Sequence, residues 1–599
     1  MKFDSKQLKE MSNAVRAGSL YAIRNAHSGH IGIALGAADI VTTIYANYLR
    51  RGLDEFVLSA GHGSALLYSV LKLAGYKIQP LKMFRKLGGL PGHPERHTDG
   101  VTATTGPLGQ GVGNAVGIAL GKKIKSSRRK SDSGFVYCLC SDGDLMEGVA
   151  QESIAFAGIY KLNNLIMFWD DNGISIDGTA LTDIDVPSRM RAAGWNVIET
   201  NGNNFKDLDR AIIAAQKSKK PSFIQCKTVI GLGSSVAGTE HAHAADLDDA
   251  ELLKLEEKFT SAQGMKLWER VEKRKPAKVE IKESAKCDCD SVEFSSYEDM
   301  TSTRELSGKV LEKLIDSEPL LIGGSADLAT STRTKTDFNF EITPSDFSGN
   351  FVNYGVREHA MGAIMNGLCI AGLRPYGGTF LIFSDYMRPA IRLSALSELP
   401  VVYVLTHDSI ALGEDGPNHQ PIEHLASLRL IPNLNVFRPC NGAEVLASWK
   451  MALAESSRPS AIILSRQEFL QIDTPDAQGI KKGGYVIQAS EKRARITLVA
   501  TGSEVPVAIS VSRKLKYPTQ VVSMVSVEKF RQQPKEYKDK VLSGFVVAIE
   551  AGATSSWFEF ADAVMGIDEF GKTGPGDEVY KSFGFDAEFI AAEISKKLK

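Results

Sequence analysis

Net charge is nearly absent from this sequence: 70 Lys and Arg stand against 71 Asp and Glu, a formal balance of −1 over 599 residues. That argues against a global field for nucleic acid or an anionic membrane, so any phosphate-binding potential must be local to a cleft. Long apolar runs are lacking too; none approaches the roughly eighteen residues that a membrane span needs. The amino terminus, MKFDSKQLKE, has no apolar core followed by a small-residue cleavage site. The expectation is a cytoplasmic protein with neither nucleic acid nor membrane as partner. Cysteine is scarce, and seven scattered thiols fit a reducing compartment better than a disulfide framework. The one close pair, Cys287 and Cys289, has no second pair to complete a zinc site.

The length implies several domains, because single cores rarely exceed about 250–300 residues. The stretch Phe135 to Gly178 organises the rest. Its apolar run Phe135–Cys140 stops at Ser141-Asp142-Gly143, a helical stretch follows from about Met146 to Tyr160, and a second run, Leu165–Trp169, stops at Asp170-Asp171-Asn172. In a right-handed βαβ unit, Asp142 and Asn172 emerge at the carboxyl ends of neighbouring parallel strands, where open α/β sheets bind ligands. A carboxylate beside an amide oxygen makes a hard-oxygen site for a divalent cation, and glycine at 143 lets a diphosphate approach the backbone. Taken alone, the same residues also fit two loop turns after buried strands.

Before this unit, residues 8 to 125 read as helical and glycine-rich, with histidine in three loops: Ser28-Gly29-His30, Ala60-Gly61-His62-Gly63 and Gly92-His93-Pro94-Glu95. The run Thr105-Gly106-Pro107-Leu108-Gly109-Gln110-Gly111 allows close backbone approach to a flat ring or a phosphate. After it, Ser222 to Val229 ends in a glycine-rich segment that reaches His243. A first domain is expected over 1–270 and a charged, apolar-poor linker over 271–297. A second domain over 298–475 shows strand-like runs ending at Ser325 and Asp327, at His407 and Asp408, and at Ser465 and Arg466. A third, smaller α/β domain over 483–599 has no comparable charged strand ends and reads as an assembly element. The fold class is therefore α/β, three domains with mainly parallel sheets flanked by helices.

At GVREHAMGAIMNG (355–367), GGTFLIFSDY (377–386) and THDSIALGEDGPNHQPIE (406–423) the chain resembles transketolases. With SGH, GHGSALLY, PGHPE and TTGPLGQG in the first domain, the resemblance covers nearly the whole length in the family's order. It implies two thiamine diphosphate-binding-type domains and transfer of a two-carbon ketol unit from a ketose phosphate to an aldose phosphate, with the thiazolium as electron sink. It also implies that Asp142, Asn172 and the carbonyl of Ile174 hold a divalent metal (Mg, Ca or Mn) on the diphosphate. Gly143, His62, His243, Asn172 and Asp327 would contact the cofactor, Gly106, Pro107 and Leu108 would hold its aminopyrimidine, and Phe380, Phe383 and Tyr386 would wall that ring. Glu358 would hydrogen-bond the pyrimidine nitrogen, a task for a carboxyl whose pKa is raised by burial.

The same resemblance places His30, His93, His243 and His419 near the reacting carbons, where proton transfer to sugar hydroxyls needs them. Asp415 would recognise a hydroxyl, and Arg304, Ser331, His407 and Arg466 the terminal phosphate. The remaining histidines, His27, His97, His241, His359 and His424, receive no catalytic role. The family's site lies between subunits, so phosphorylated sugars and a second copy of the chain are the implied partners. Departures are few: Ser141 stands where the family usually has glycine, Asn203-Asn204 replaces a His-Asp pair, and Lys572-Thr573-Gly574-Pro575 differs from the usual late loop. The competing readings are a related synthase or a formaldehyde-using ketol transferase, and a catalytically silent binding homologue.

Overall fold

The computed structural model describes residues 2–180, 185–244, 247–277 and 300–598. Most of the expected linker, with Cys287 and Cys289, lies outside the described residues. Two compact units divide the chain: Met1–Glu283 with Thr343–Gly349 and Ala363–Gly372, and Ser284–Ile342 with Asn350–Gly362 and Leu373–Lys599.

In the first unit the apolar runs become a five-stranded parallel sheet. Its strands are β1 (Glu55–Leu58), β2 (Val136–Ser141), β3 (Leu165–Asp171), β4 (Asn196–Asn201) and β5 (Ser222–Lys227), in spatial order β1-β2-β3-β5-β4. Every residue of the central β3 is buried, as a strand flanked on both sides and covered on both faces requires. Ser141 pairs with Asp170 in register, so Asp142 and Asn172 do leave adjacent strand ends. Two expectations are corrected. β1 sits inside the stretch read as helical, too short for its period to show. The helix expected from Met146 begins instead at Asp142, breaks at an extended Glu147, and restarts as Gly148–Ile159. The early start follows from a capping box: the Ser141 side chain accepts from the Asp144 N–H, and the Asp144 carboxylate accepts from the Ser141 N–H.

The second unit holds two large sheets, besides a two-stranded antiparallel pair of Met300–Thr301 with Phe469–Leu470. The six strands β6 (Leu321–Ser325), β7 (Phe351–Asn353), β8 (Arg374–Phe380), β9 (Val402–Thr406), β10 (Asn435–Phe437) and β11 (Ser460–Leu464) run parallel in the order β7-β6-β8-β9-β11-β10. A further sheet comprises β12 (Tyr485–Gln488), β13 (Ile496–Ala500), β14 (Thr519–Ser523), β15 (Phe545–Ile549) and β16 (Ala563–Met565), in the order β12-β14-β13-β15-β16. Only β12 is antiparallel to its neighbour in that sheet. One apolar core runs through both sheets, from Val404, Phe437 and Ile462 to Leu498, Val521 and Ile549. The third sheet's strand ends also differ from expectation: Glu504 and Glu550 follow β13 and β15 as fully buried carboxylates. Among the described residues, no helix is long and apolar enough to cross a membrane.

Candidate active site

The first unit gathers four of the sequence-singled histidines into one cavity of about 390 Å³, lined by His30, His62, His93 and His243. Ring centroids lie 5.3 Å apart for His30 and His62, 5.4 Å for His30 and His243, and 5.1 Å for His62 and His243. Asp142, Gly143, Asn172 and Ile174 form another part of the same wall, with Gly106 and Leu108 beside them; Pro107 is not on the wall. Two glycines there sit in tight places. A Cβ on Gly143 would come within 2.8 Å of Leu108 Cδ1, and Gly106, at φ +141°, has the His93 ring 3.3 Å from where its Cβ would be.

The strand ends concentrate negative charge. Asp142, Asp170 and Asp171 are all buried. Trp169 Nε1 donates to Asp142 (3.1 Å), Asn172 Nδ2 donates to Asp170 (3.2 Å), and Lys227 pairs with Asp171. Among the described residues neither Asp142 nor Asp170 has an ion-pair partner. Burial, then the charges of Asp171 and Asp170, push Asp142 up to about 7, and burial lifts Asp170 to about 6. Asn172 Oδ1 accepts from the Ile174 N–H at 3.0 Å, which holds the loop in a turn. A buried carboxylate without a counter-cation, an amide oxygen and a nearby backbone carbonyl suit a hard divalent ion that also binds a diphosphate. Magnesium, calcium and manganese all fit that donor set. A different group, Asp385, Glu423 and His424, brings three ligand-type atoms within 4.8 Å of one another, but two of the three residues are exposed.

The histidines are held neutral. Burial first, then His243 and Arg85, bring His30 down to about 4; burial and the neighbouring imidazoles bring His62 to about 3. His93 and His243 are lowered chiefly by burial. For such a histidine the unfolded chain binds more protons below the ordinary pKa near 6.5, so stability is full above that value and falls as pH drops toward the folded pKa. Thermal unfolding followed from pH 6.5 to 4 should therefore show a steeper loss of Tm in wild type than in His62→Gln. Equal slopes would mean that His62 is not desolvated as described.

Two residues not singled out in the sequence take part. Arg85, at φ +54°, donates to Ser28 Oγ at 2.6 Å and approaches His30 Nδ1 at 3.4 Å. A guanidinium has no acceptor, so the His30 nitrogen facing it must carry the lone pair. Asp144, fully buried, accepts from Ser59 Oγ (2.6 Å), Gly109 N–H (2.7 Å) and Ser141 N–H (2.9 Å), tying the 105–111 loop to the ends of β1 and β2. Asp-Gly-Asp gave no sign of this, because its partners are far away in the chain.

In the second unit, Phe380 and Phe383 stack at 5.7 Å and 16°, and Tyr386, largely exposed, tilts against Phe383 at 6.1 Å. His407 lies on Phe380 with centroids 3.6 Å apart, and His419 meets Phe383 edge-on at 5.4 Å. Burial, then Arg304 and Arg466, hold His407 down to about 3. Arg304 donates to the Ser331 carbonyl at 2.6 Å, so the structure does bring the two arginines, Ser331 and His407 into one neighbourhood. Asp327, at φ +67°, shares a cavity of about 190 Å³ with Ser331. Asp415 is exposed, and Glu358, 8% exposed, opens the helix Glu358–Ile370.

Carboxylate-ended parallel strands facing a histidine-lined cavity, with a second parallel sheet carrying stacked aromatic rings, define the class: an α/β enzyme with a site for a divalent metal and a phosphate-bearing ligand. Comparison with known proteins narrows it. Residues 7–308 match the transketolase thiamine diphosphate binding domain, 299–471 the transketolase pyrimidine binding domain, and 483–586 the transketolase-like C-terminal domain. The chain is 40% identical to a transketolase of Aquifex aeolicus, over 99% of this chain and 95% of that one. Its fold superposes on a Leishmania mexicana transketolase with TM-score 0.92 at 32% identity, covering 99% of this chain and 97% of the other. A Pichia stipitis transketolase in complex with sedoheptulose-7-phosphate gives TM-score 0.89 at 36% identity, again over 99% and 97% of the two chains. The chain belongs to the transketolase family, enzymes that use thiamine diphosphate and a divalent metal to move a two-carbon ketol unit.

Proposed function

We propose that this enzyme carries a two-carbon ketol unit from a ketose phosphate such as xylulose 5-phosphate to an aldose phosphate such as ribose 5-phosphate, as in the non-oxidative pentose phosphate pathway. The observation that carries the reading is the arginine pair, Arg304 and Arg466, beside neutral His407 and the Phe380 wall. Two guanidiniums next to an uncharged imidazole leave positive charge to meet a sugar phosphate. The relative solved with a seven-carbon ketose phosphate supports the same substrate class.

In this reading Asp142, Asn172 and the Ile174 carbonyl hold the metal, while Gly143, His62, His243 and Asp327 contact the cofactor. The Gly106–Leu108 loop and Phe380, Phe383 and Tyr386 orient its pyrimidine, and Glu358 shares a proton with the ring nitrogen. Bound thiamine diphosphate supplies the electron sink that lets the carbon–carbon bond of the ketose break. His30, His93, His243 and His419 take protons from sugar hydroxyls and return them. Asp415 recognises a hydroxyl, and Arg304, Ser331, His407 and Arg466 anchor the phosphate.

The two sets of residues act together across a homodimer, the cavity of one subunit facing Glu358 of a second. Specific activity should therefore fall in step with the dimer fraction on dilution; full activity where sizing shows only monomer would refute this arrangement. We place the enzyme in the cytoplasm, a reading supported by its described cysteines, all of which are free. The central test supplies thiamine diphosphate, magnesium, xylulose 5-phosphate and ribose 5-phosphate. Release of glyceraldehyde 3-phosphate is expected; background release with metal present rejects the proposal, and consumption of pyruvate would select the related synthase.

A further inference from the structure

Arg438 follows β10 and is 1% exposed. Its Nε and Nη2 donate to Asp408 at 3.0 and 2.8 Å, its Nη1 donates to Thr501 Oγ1 at 2.8 Å, and Nη1 also pairs with Glu504. Glu550 completes the group, accepting from both terminal nitrogens of Arg429 (2.8 and 2.7 Å), from Thr501 Oγ1 (2.7 Å) and from Trp557 Nε1 (2.9 Å). Two guanidiniums and three carboxylates are thus buried where the second and third sheets share a core. Desolvating each ion costs several kcal/mol, and apolar packing of equal volume often does as well for stability. Such a cluster therefore points to a demand for geometry.

The demand is visible one residue away. His407 precedes Asp408 and sits at φ +62°, a backbone conformation that costs a non-glycine residue free energy and must be held by its surroundings. Ser409 is fixed next: Tyr580 Oη, from the third sheet's side, donates to Glu504 (2.6 Å) and lies 3.1 Å from Ser409 Oγ. Further along, Gln420 Nε2 donates to the carbonyls of Ile410 (3.2 Å), Gly413 (3.1 Å) and Lys572 (2.9 Å). Gly413, at φ +74°, packs so closely on the 572–576 loop that a Cβ would lie 2.7 Å from Gly574 O. The carboxy-terminal segment thus grips the 407–420 stretch directly at residues 409, 413 and 420 and, through Arg438, at 408, and His407, Asp415 and His419 lie among these points.

We propose that the carboxy-terminal sheet is a positioning device for substrate recognition. Through Arg438, Glu504 and Tyr580, and through the Lys572 carbonyl on Gln420, it sets the conformation of the 407–420 segment that meets the sugar phosphate. The inference rests on the substrate assignment made above and gives a function to a segment that otherwise reads as assembly alone. Arg438, Tyr580 and Gln420 act through the segment, as positioning residues.

Because removing Arg438 would leave the buried carboxylates of Asp408 and Glu504 without their cation, the test uses Tyr580→Phe and Gln420→Met, which keep most of the volume. Each deletes donors worth about one net hydrogen bond, so KM for ribose 5-phosphate should rise about tenfold. Thiamine diphosphate affinity, and KM for unphosphorylated glycolaldehyde as acceptor, should stay within about twofold. Amide hydrogen exchange should quicken in peptides covering 407–420 and stay unchanged in those covering β13 and β15. Unchanged exchange in 407–420, or equal KM increases for phosphorylated and unphosphorylated acceptors, would overturn the proposal. A wild type without ketol transfer would sink the substrate assignment by itself, and the exchange measurement would still decide whether the segment is held in this way.

Discussion

Glu358→Gln is expected to lower kcat by about 10²–10⁴-fold, the range a positioned proton-transfer group contributes, with Tm and cofactor affinity close to wild type. Glutamine keeps the side chain's length and shape at a site that is 8% exposed and opens the helix Glu358–Ile370, so packing should be preserved. On the role proposed for Glu358, what is lost is the shared proton, because an amide cannot exchange between donor and acceptor states with a ring nitrogen. Steady-state rates with saturating cofactor and metal, alongside thermal unfolding, separate the two effects. Wild-type turnover in this variant would remove Glu358 from the proton-transfer role.

Asp142→Asn should abolish metal-dependent retention of thiamine diphosphate, and with it activity, while raising the Tm of the metal-free protein. The two halves have one cause. In metal-free protein the buried carboxylate of Asp142 faces Asp170 and Asp171 without an ion-pair partner, so its pKa is raised and its ionised form weakens the fold near neutral pH. Such a group destabilises most above its folded pKa, and the penalty fades as pH falls through that value, opposite in sign to the buried histidines. The amide removes the penalty and the anionic ligand together. Calorimetric titration with magnesium and cofactor, plus unfolding of both proteins in chelator, would check this. A variant that kept wild-type cofactor affinity would exclude Asp142 as metal ligand.

Much of this site could be read in advance because its residues announce themselves locally. Asp142 and Asn172 end apolar runs, and a run's end on a parallel sheet marks a ligand position whatever surrounds it. His30, His62 and His93 each stand in a glycine-bearing loop, and the fold carries all three, with His243, to one cavity. Other features depended on partners distant in sequence. Arg85 reads as an ordinary surface arginine until the loop brings it to His30, and nothing within ten residues of Glu504 or Glu550 signals that they converge on Arg438. β1 was hidden because four residues are too few to distinguish a period of two from a helical one. The helix start at Asp142 is not legible in the sequence because the Ser141–Asp144 box lies inside what also reads as a turn.

Asp144 has a consequence for anyone who would redesign this cofactor pocket. Its two oxygens are shared among Ser59, Gly109 and Ser141, three segments spread over some eighty residues of chain. A transplanted cofactor loop with glycine at 141 would arrive without the serine hydroxyl, and Oδ2 would keep only the backbone donor there. Substitutions at Ser59 and Ser141 should accordingly be non-additive, and the pocket should accept exchange as a set of three segments where it resists exchange one at a time.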